Sequence, residues 1–290
     1  MNNQDNEKVF QKSQINWYPG HMAKTKREIK EKIDLIDIVY EIIDARIPKS
    51  SRIMDLDELI HDKPRIMIFT KYDLCDKNIT DKYINELKSN YVIIKTNLKE
   101  NSNIAKEIIS KTEEMLLNIN KKRQEKGLNK RNYRALVIGV PNVGKSTLIN
   151  RLAGRNIQST GNIPGVTKNL SWIKLNKNIE LLDTPGILWP KINDAIQALN
   201  LASLSSIKEE ILNKEEISTY IIDTLYQYYP ELLKDKYGIE NVDDINIVFD
   251  KIGRKRGCLL KGNIVDLEKV YTIIMNDLKE GKIGKITFDR

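Results

Sequence analysis

Short apolar runs alternate with amphipathic stretches through the first two-thirds of the chain, and the alternation stops near residue 190. The runs IDIVYEII (36–43), RIMIFT (65–70) and RALVIG (134–139) predict buried strands, with a weaker one at 91–95 and two more at 170–175 and 179–182. Between them, periodicity near 3.6 predicts helices at 22–34, 55–60, 79–89, 102–120 and 145–153. Strands joined by helical crossovers of this length imply an α/β fold, a mostly parallel sheet covered on both faces. Beyond Pro190 only helical patterns remain, near 193–207, 215–228, 242–253 and 266–280, separated by YYP, YGI and GN breaks. The expected organisation is a flexible polar tail over 1–14, an α/β domain over 15–188 and a small all-helical domain over 189–290.

Charge adds a class of partner. The 290 residues carry 48 Lys and Arg against 40 Asp and Glu, a net charge of +8 that favours a polyanion. The excess bunches at 121–134 (KKRQEKGLNKRNYR) and 251–261 (KIGRKRGCLLK). In the second cluster Arg254, Lys255 and Arg256 lie between glycines and Lys261 follows, which makes these four the best candidates for RNA phosphate contact. Lys24, Lys26, Arg27 and Lys30 on the first helix are further candidates. Two cysteines without ligand spacing, no apolar leader and no run of eighteen apolar residues point to a cytoplasmic protein with no membrane partner.

The chemistry centres on Gly139-Val-Pro-Asn-Val-Gly144-Lys145-Ser146-Thr147, which sits between an apolar strand and a helix as a phosphate-binding loop requires. The backbone of Asn142, Val143, Gly144 and Thr147 is expected around the phosphates, with Lys145 on the β- and γ-groups and Ser146 on Mg²⁺. Asp183 ends an apolar run and opens Asp-Thr-Pro-Gly, from which it reaches Mg²⁺ through water while the Gly186 N–H contacts the γ-phosphate. In the intervening loop Thr167 is the expected switch threonine on Mg²⁺, with Thr160 as the other choice. The predicted activity is nucleoside triphosphate hydrolysis.

These motifs belong to GTPases, yet nothing after residue 186 reads a base. The only candidate, Thr70-Lys71-Tyr72-Asp73, lies upstream of the phosphate loop at the end of a predicted strand. Asp73 would accept from guanine N1 and N2, Lys71 would cover the ring, and Thr96-Asn97 would supply a second base loop. A base-reading motif ahead of the phosphate loop implies that the old termini were joined and the chain reopened elsewhere, with the new join in 121–134.

That order resembles the circularly permuted GTPases. Within them the chain resembles the bacterial ribosome biogenesis GTPase A family, through NWYPGHMAK at 16–24, DARIP at 44–48, TKYD, GVPNVGKST, PGVTK and DTPG. The resemblance implies a circularly permuted P-loop GTPase domain followed by a helical RNA- or ribosome-binding domain. It also implies a cytoplasmic enzyme, monomeric off the ribosome, that binds the large ribosomal subunit precursor through ribosomal RNA and ribosomal proteins, not DNA. It would promote late maturation, with GTP hydrolysis stimulated by the particle. Thr70 stands where the family has Asn, which rests guanine selectivity more heavily on Asp73. Ile187 stands where many GTPases keep a water-orienting Gln, so the resemblance points to His21 for that role. It also makes Asn142 a potassium ligand beside the phosphates. The competing readings are a regulatory GTPase without a ribosomal role and a nucleotide-dependent RNA-binding scaffold.

Overall fold

The computed structural model describes residues 20–156, 170–175, 178–186, 194–207 and 213–290, with side chains from Lys24 onward. The expected tail at 1–14 and the expected domain boundary at 188–189 lie outside the described residues.

Six strands form one sheet. They are β1 (Ile38–Asp44), β2 (Arg65–Thr70), β3 (Val92–Lys95), β4 (Tyr133–Ile138), β5 (Ser171–Lys174) and β6 (Ile179–Asp183), in spatial order β3-β2-β1-β4-β6-β5. All pairings are parallel except β5 with β6. The largely apolar runs are explained by burial: every residue of β1 and β2 is buried, because helices cover both faces, and the Glu41 carboxylate that interrupts β1 is paired with Arg65 at 3.0 Å. Those helices are α1 (Gly20–Lys32), α2 (Leu56–Ile60), α3 (Lys77–Leu87), α4 (Ile104–Glu125) and α5 (Lys145–Ala153). Helix α4 continues to Glu125, so the start of the basic 121–134 segment is helical.

After the sheet come α6 (Ala195–Ser203), α7 (Lys214–Tyr228), α8 (Pro230–Tyr237), α9 (Ile245–Lys255) and α10 (Leu267–Lys279). Asp194, Asn213, Asp244 and Asp266 cap four of these helices, each accepting from an amide of the first turn. Sequence patterning predicts only a break at α8, because eight residues carry too little periodicity to register. Pro230 at its first turn and left-handed Gly238 after its last residue define it instead.

Register brings the chemistry to one edge. Asp44 pairs with Thr70 and Val137 with Asp183, so the carboxyl ends of four parallel strands converge where α5 begins. The C-terminal segment then returns to this edge: the Ile286 amide donates to the Leu74 carbonyl at 3.1 Å and Phe288 to Arg46 at 2.8 Å. The Asp289 carboxylate accepts from the Lys49 and Ser50 amides at 2.6 and 2.8 Å and from Asn200 Nδ2 at 2.9 Å.

Candidate nucleotide site

The phosphate loop leaves β4 and enters α5 through two tight places. A Cβ on Gly139 would lie 2.6 Å from the Ile42 carbonyl oxygen, and Gly144 has φ +101°. Asn142 also takes a left-handed φ of 62°. Lys145 is buried and folds back on the loop, donating to the carbonyls of Gly139 and Val140 at 3.0 and 2.8 Å. Ser146 and Thr147 fall in the first turn of α5. A Cβ on Gly186 would meet Pro141 Cα at 2.7 Å, so only glycine brings the Asp-Thr-Pro-Gly chain this close to the loop.

Asp183 has no solvent exposure, and neither carboxylate oxygen has a hydrogen-bond partner among the described residues. Burial pushes its pKa up to about 6, against the Lys145 charge and the nearby Thr184 amide. Burial likewise holds Lys145 down to about 8, offset in part by Asp183. A buried, unpartnered carboxylate beside a serine at a helix N-terminus fits the hard oxygen shell of Mg²⁺, in which phosphates and waters complete the coordination.

The TKYD loop is bonded directly to the phosphate loop. Thr70 Oγ1 lies 2.6 Å from the Val143 carbonyl oxygen, and Lys71 Nζ donates to the Asn142 carbonyl at 2.8 Å. Lys71, Asp73, Asn97, Asn142, Val143, Gly144 and Thr147 share a cavity of about 170 Å³. Asp73 Oδ1 is buried there without a hydrogen-bond partner among the described residues, an acceptor turned from water and not yet satisfied. Asn97 accepts from the Lys99 amide at 2.9 Å in a side-chain-closed turn. Thr96 is buried beneath that turn, its amide donating to the Phe69 carbonyl, and does not line the cavity.

Sequence reasoning gave no role to Asp44 and Arg46, although both lie in the DARIP segment. The Arg46 guanidinium forks onto Asp44 at 3.0 and 2.9 Å, and Lys71 Nζ reaches the same carboxylate at 2.8 Å. Burial works against the Asp44 charge, but the two cations outweigh it and hold the carboxyl well below its ordinary range. Leu98, Lys99, Leu204, Ser205, Lys279 and Glu280 also line the cavity. No motif marks them, because four come from the helical region.

The His21 backbone lies in the first turn of α1; its side chain, and all of Thr160, Thr167 and Ile187, lie outside the described residues. His61 is exposed. Asn142 Nδ2 donates to the Ser205 carbonyl at 2.6 Å. Among the RNA candidates, Arg254 pairs with Asp250 at 2.7 Å and Arg256 with Asp277 at 3.0 Å, while Lys255 and Lys261 are exposed. Arg131 of the 121–134 cluster is bidentate to Asp37 at 2.6 Å, a pairing that ties the connection between α4 and β4 to the residue just before β1. Among the described residues no helix is long and apolar enough to cross a membrane.

A family model described as 50S ribosome-binding GTPase matches residues 134–252, beginning at β4 and leaving out the TKYD loop upstream of it. The Bacillus cereus protein named Ribosome biogenesis GTPase A is 43% identical over 277 residues, 95% of this chain and 93% of that protein. Its Thermotoga maritima namesake is 31% identical over 281 residues, 95% of this chain and 94% of that protein. A solved GDP-bound structure of TM YlqF superposes with a TM-score of 0.63 at 28% identity, covering 91% of this chain and 99% of that one.

Proposed function

The chain belongs to the ribosome biogenesis GTPase A family, and we propose that it binds the large ribosomal subunit precursor and promotes its late maturation, hydrolysing GTP when the particle stimulates it. GTPase activity and a place in ribosome biogenesis come with the family. The observation that carries the reading is the junction of the TKYD loop with the phosphate loop. Thr70 and Lys71 bond to Val143 and Asn142, and Asp73, whose buried Oδ1 has no hydrogen-bond partner among the described residues, lines the shared cavity. The junction supports a base site beside the phosphate site despite the permuted chain order.

Guanine N1 and N2 would satisfy Asp73, and the Lys71 stem would cover the ring. Lys145 leaves its two loop carbonyls for the β- and γ-phosphates, an exchange of neutral acceptors for anionic ones. Ser146, Thr167 and, through water, Asp183 would hold Mg²⁺, which supplies neutralisation of charge on the transferring group. Asn142 would contribute to a potassium site at the same phosphates. Water then attacks the γ-phosphorus as the bond to the β–γ bridging oxygen breaks, leaving GDP and phosphate. The Gly186 amide contacts the γ-phosphate, and His21 orients the attacking water, because Ile187 has no polar head to do so.

The division at 188–189 assigns 15–188 to nucleotide chemistry and 189–290 to ribosomal RNA, with Arg254, Lys255, Arg256 and Lys261 on phosphates, in a cytoplasmic and monomeric protein. GTP turnover measured with and without large-subunit precursor tests this. Strong stimulation that disappears in His21→Ala is expected; equal turnover in both conditions would overturn the reading.

A further inference from the structure

The cavity that holds Asp73 is not built by the α/β domain alone. Its lining includes Asp73 and Asn97 but neither Lys145 nor Ser146, so it lies on the nucleoside side of the phosphate loop. Leu204 and Ser205 wall one side, and Lys279 and Glu280, at the end of α10, wall another.

Both walls are fastened to the residues that would hold the nucleotide. Asn142 Nδ2 donates to the Ser205 carbonyl at 2.6 Å, and Ser206 Oγ to the Pro141 carbonyl at 2.9 Å. On the other side Arg46, only 2% exposed, divides its guanidinium between two partners. Nε and Nη2 hold Asp44, which in turn holds Lys71, and Nη1 donates to the Leu278 and Lys279 carbonyls at 3.1 Å each. Those carbonyls close the C-terminal end of α10, where a cation is favoured and intrahelical donors run out. The turn beyond them is shaped to the same cavity: Gly281 has φ +72°, and a Cβ there would lie 2.6 Å from Leu74 Cδ2. Leu74 is itself a lining residue.

We infer that the guanine nucleoside site is a composite of both domains: the C-terminal turn of α10 with Lys279 and Glu280 forms one of its walls, and Arg46 is the positioning residue that sets this wall and Lys71 together. The inference rests on the reading of Asp73 as the base-contacting residue. A nucleotide that fills the cavity presses the helical domain against the α/β domain. By reciprocity, a partner that pulls the helical domain away weakens guanine nucleotide by the same factor.

The test combines GDP titration with amide hydrogen exchange on the full-length protein, in the native form and as Arg46→Ala, Arg46→Lys and Asp73→Asn, with circular dichroism as the folding check. GDP should protect the amides of 278–284 in the native protein. Arg46→Ala should weaken GDP by about tenfold or more and remove that protection, since charge-assisted hydrogen bonds are lost. Arg46→Lys keeps a cation beside Asp44 but cannot fork to the α10 carbonyls. It should fold even if Arg46→Ala does not, and should still lose the protection. Native GDP affinity in a folded Arg46 variant would overturn the composite site. Weakened affinity in the variants, with GDP giving no protection of 278–284 in the native protein either, would overturn it too, because an Arg46 of purely structural importance gives that pattern. Asp73→Asn separates the two layers: if it leaves GDP binding intact, the base-site reading itself fails.

Discussion

Thr70 and Val143 are 73 positions apart in sequence, and the threonine hydroxyl lies 2.6 Å from the valine carbonyl oxygen. This bond joins the base-reading loop to the phosphate loop, and it does so with a side chain shorter than the family's usual Asn. The same hydroxyl is 3.1 Å from the Ile43 carbonyl, so Thr70 sits where the ends of β1 and β2 meet the phosphate loop.

Replacing Thr70 with Val keeps the shape and removes the donor, leaving the Val143 carbonyl without this partner. GDP affinity, read by titration, is expected to fall about tenfold, the scale of one buried acceptor losing its bond. Thr70→Asn, which brings back an N–H donor, should bind GDP within about threefold of the native protein.

Asp183 is costly in the nucleotide-free protein, where its buried oxygens lack hydrogen-bond partners among the described residues. Asp183→Asn removes the buried charge. The melting temperature without nucleotide should therefore rise by a few degrees, on the order of 1–2 kcal/mol. GTP turnover should fall by at least about 100-fold, and magnesium titration should no longer sharpen nucleotide affinity. A variant that loses stability and activity together would contradict this account.

Asp44 carries two cations, Arg46 at 2.9 Å and Lys71 at 2.8 Å, with Asp44 and Arg46 almost without solvent and Lys71 partly exposed. Asp44→Ala would leave both uncompensated. Chemical denaturation should register a loss of about 3–5 kcal/mol, larger than for any exposed pair such as Arg254 with Asp250.

Cys75 gives a pH signature. Burial pushes its thiol up to about 11 from an ordinary value of 9.0, so between those values the folded chain binds a proton that the unfolded chain has released. Stability falls with rising pH wherever the folded state binds more protons. The native protein should therefore lose stability from pH 9 to 11 more steeply than Cys75→Ala does. At pH 8 the native thiol should resist alkylation until the chain is unfolded.

Much of this molecule is written locally. Largely apolar runs mark β1, β2 and β4 because strands covered on both faces have little polar side to display. Gly139, Gly144 and Gly186 mark close approaches that a side chain would block or a left-handed turn would strain. Motif order alone exposes the permutation, since TKYD precedes GVPNVGKST in the chain. Short elements are less legible. Helix α8 has too few residues for its periodicity to show, and its Pro and Gly read first as a break.

The sequence by itself determined the phosphate loop, the Asp-Thr-Pro-Gly strand end and the displaced base-reading motif, because each chemistry needs particular residue types at fixed spacing along one stretch of backbone. Only the tertiary structure decided what encloses the cavity beside the phosphate loop. Arg46 binds backbone carbonyls at Leu278 and Lys279, Asn142 binds the carbonyl of Ser205, and Asp289 collects amides from Lys49 and Ser50. Backbone carbonyls and amides are the same at every non-proline position, so contacts made to them leave no trace in the order of the side chains.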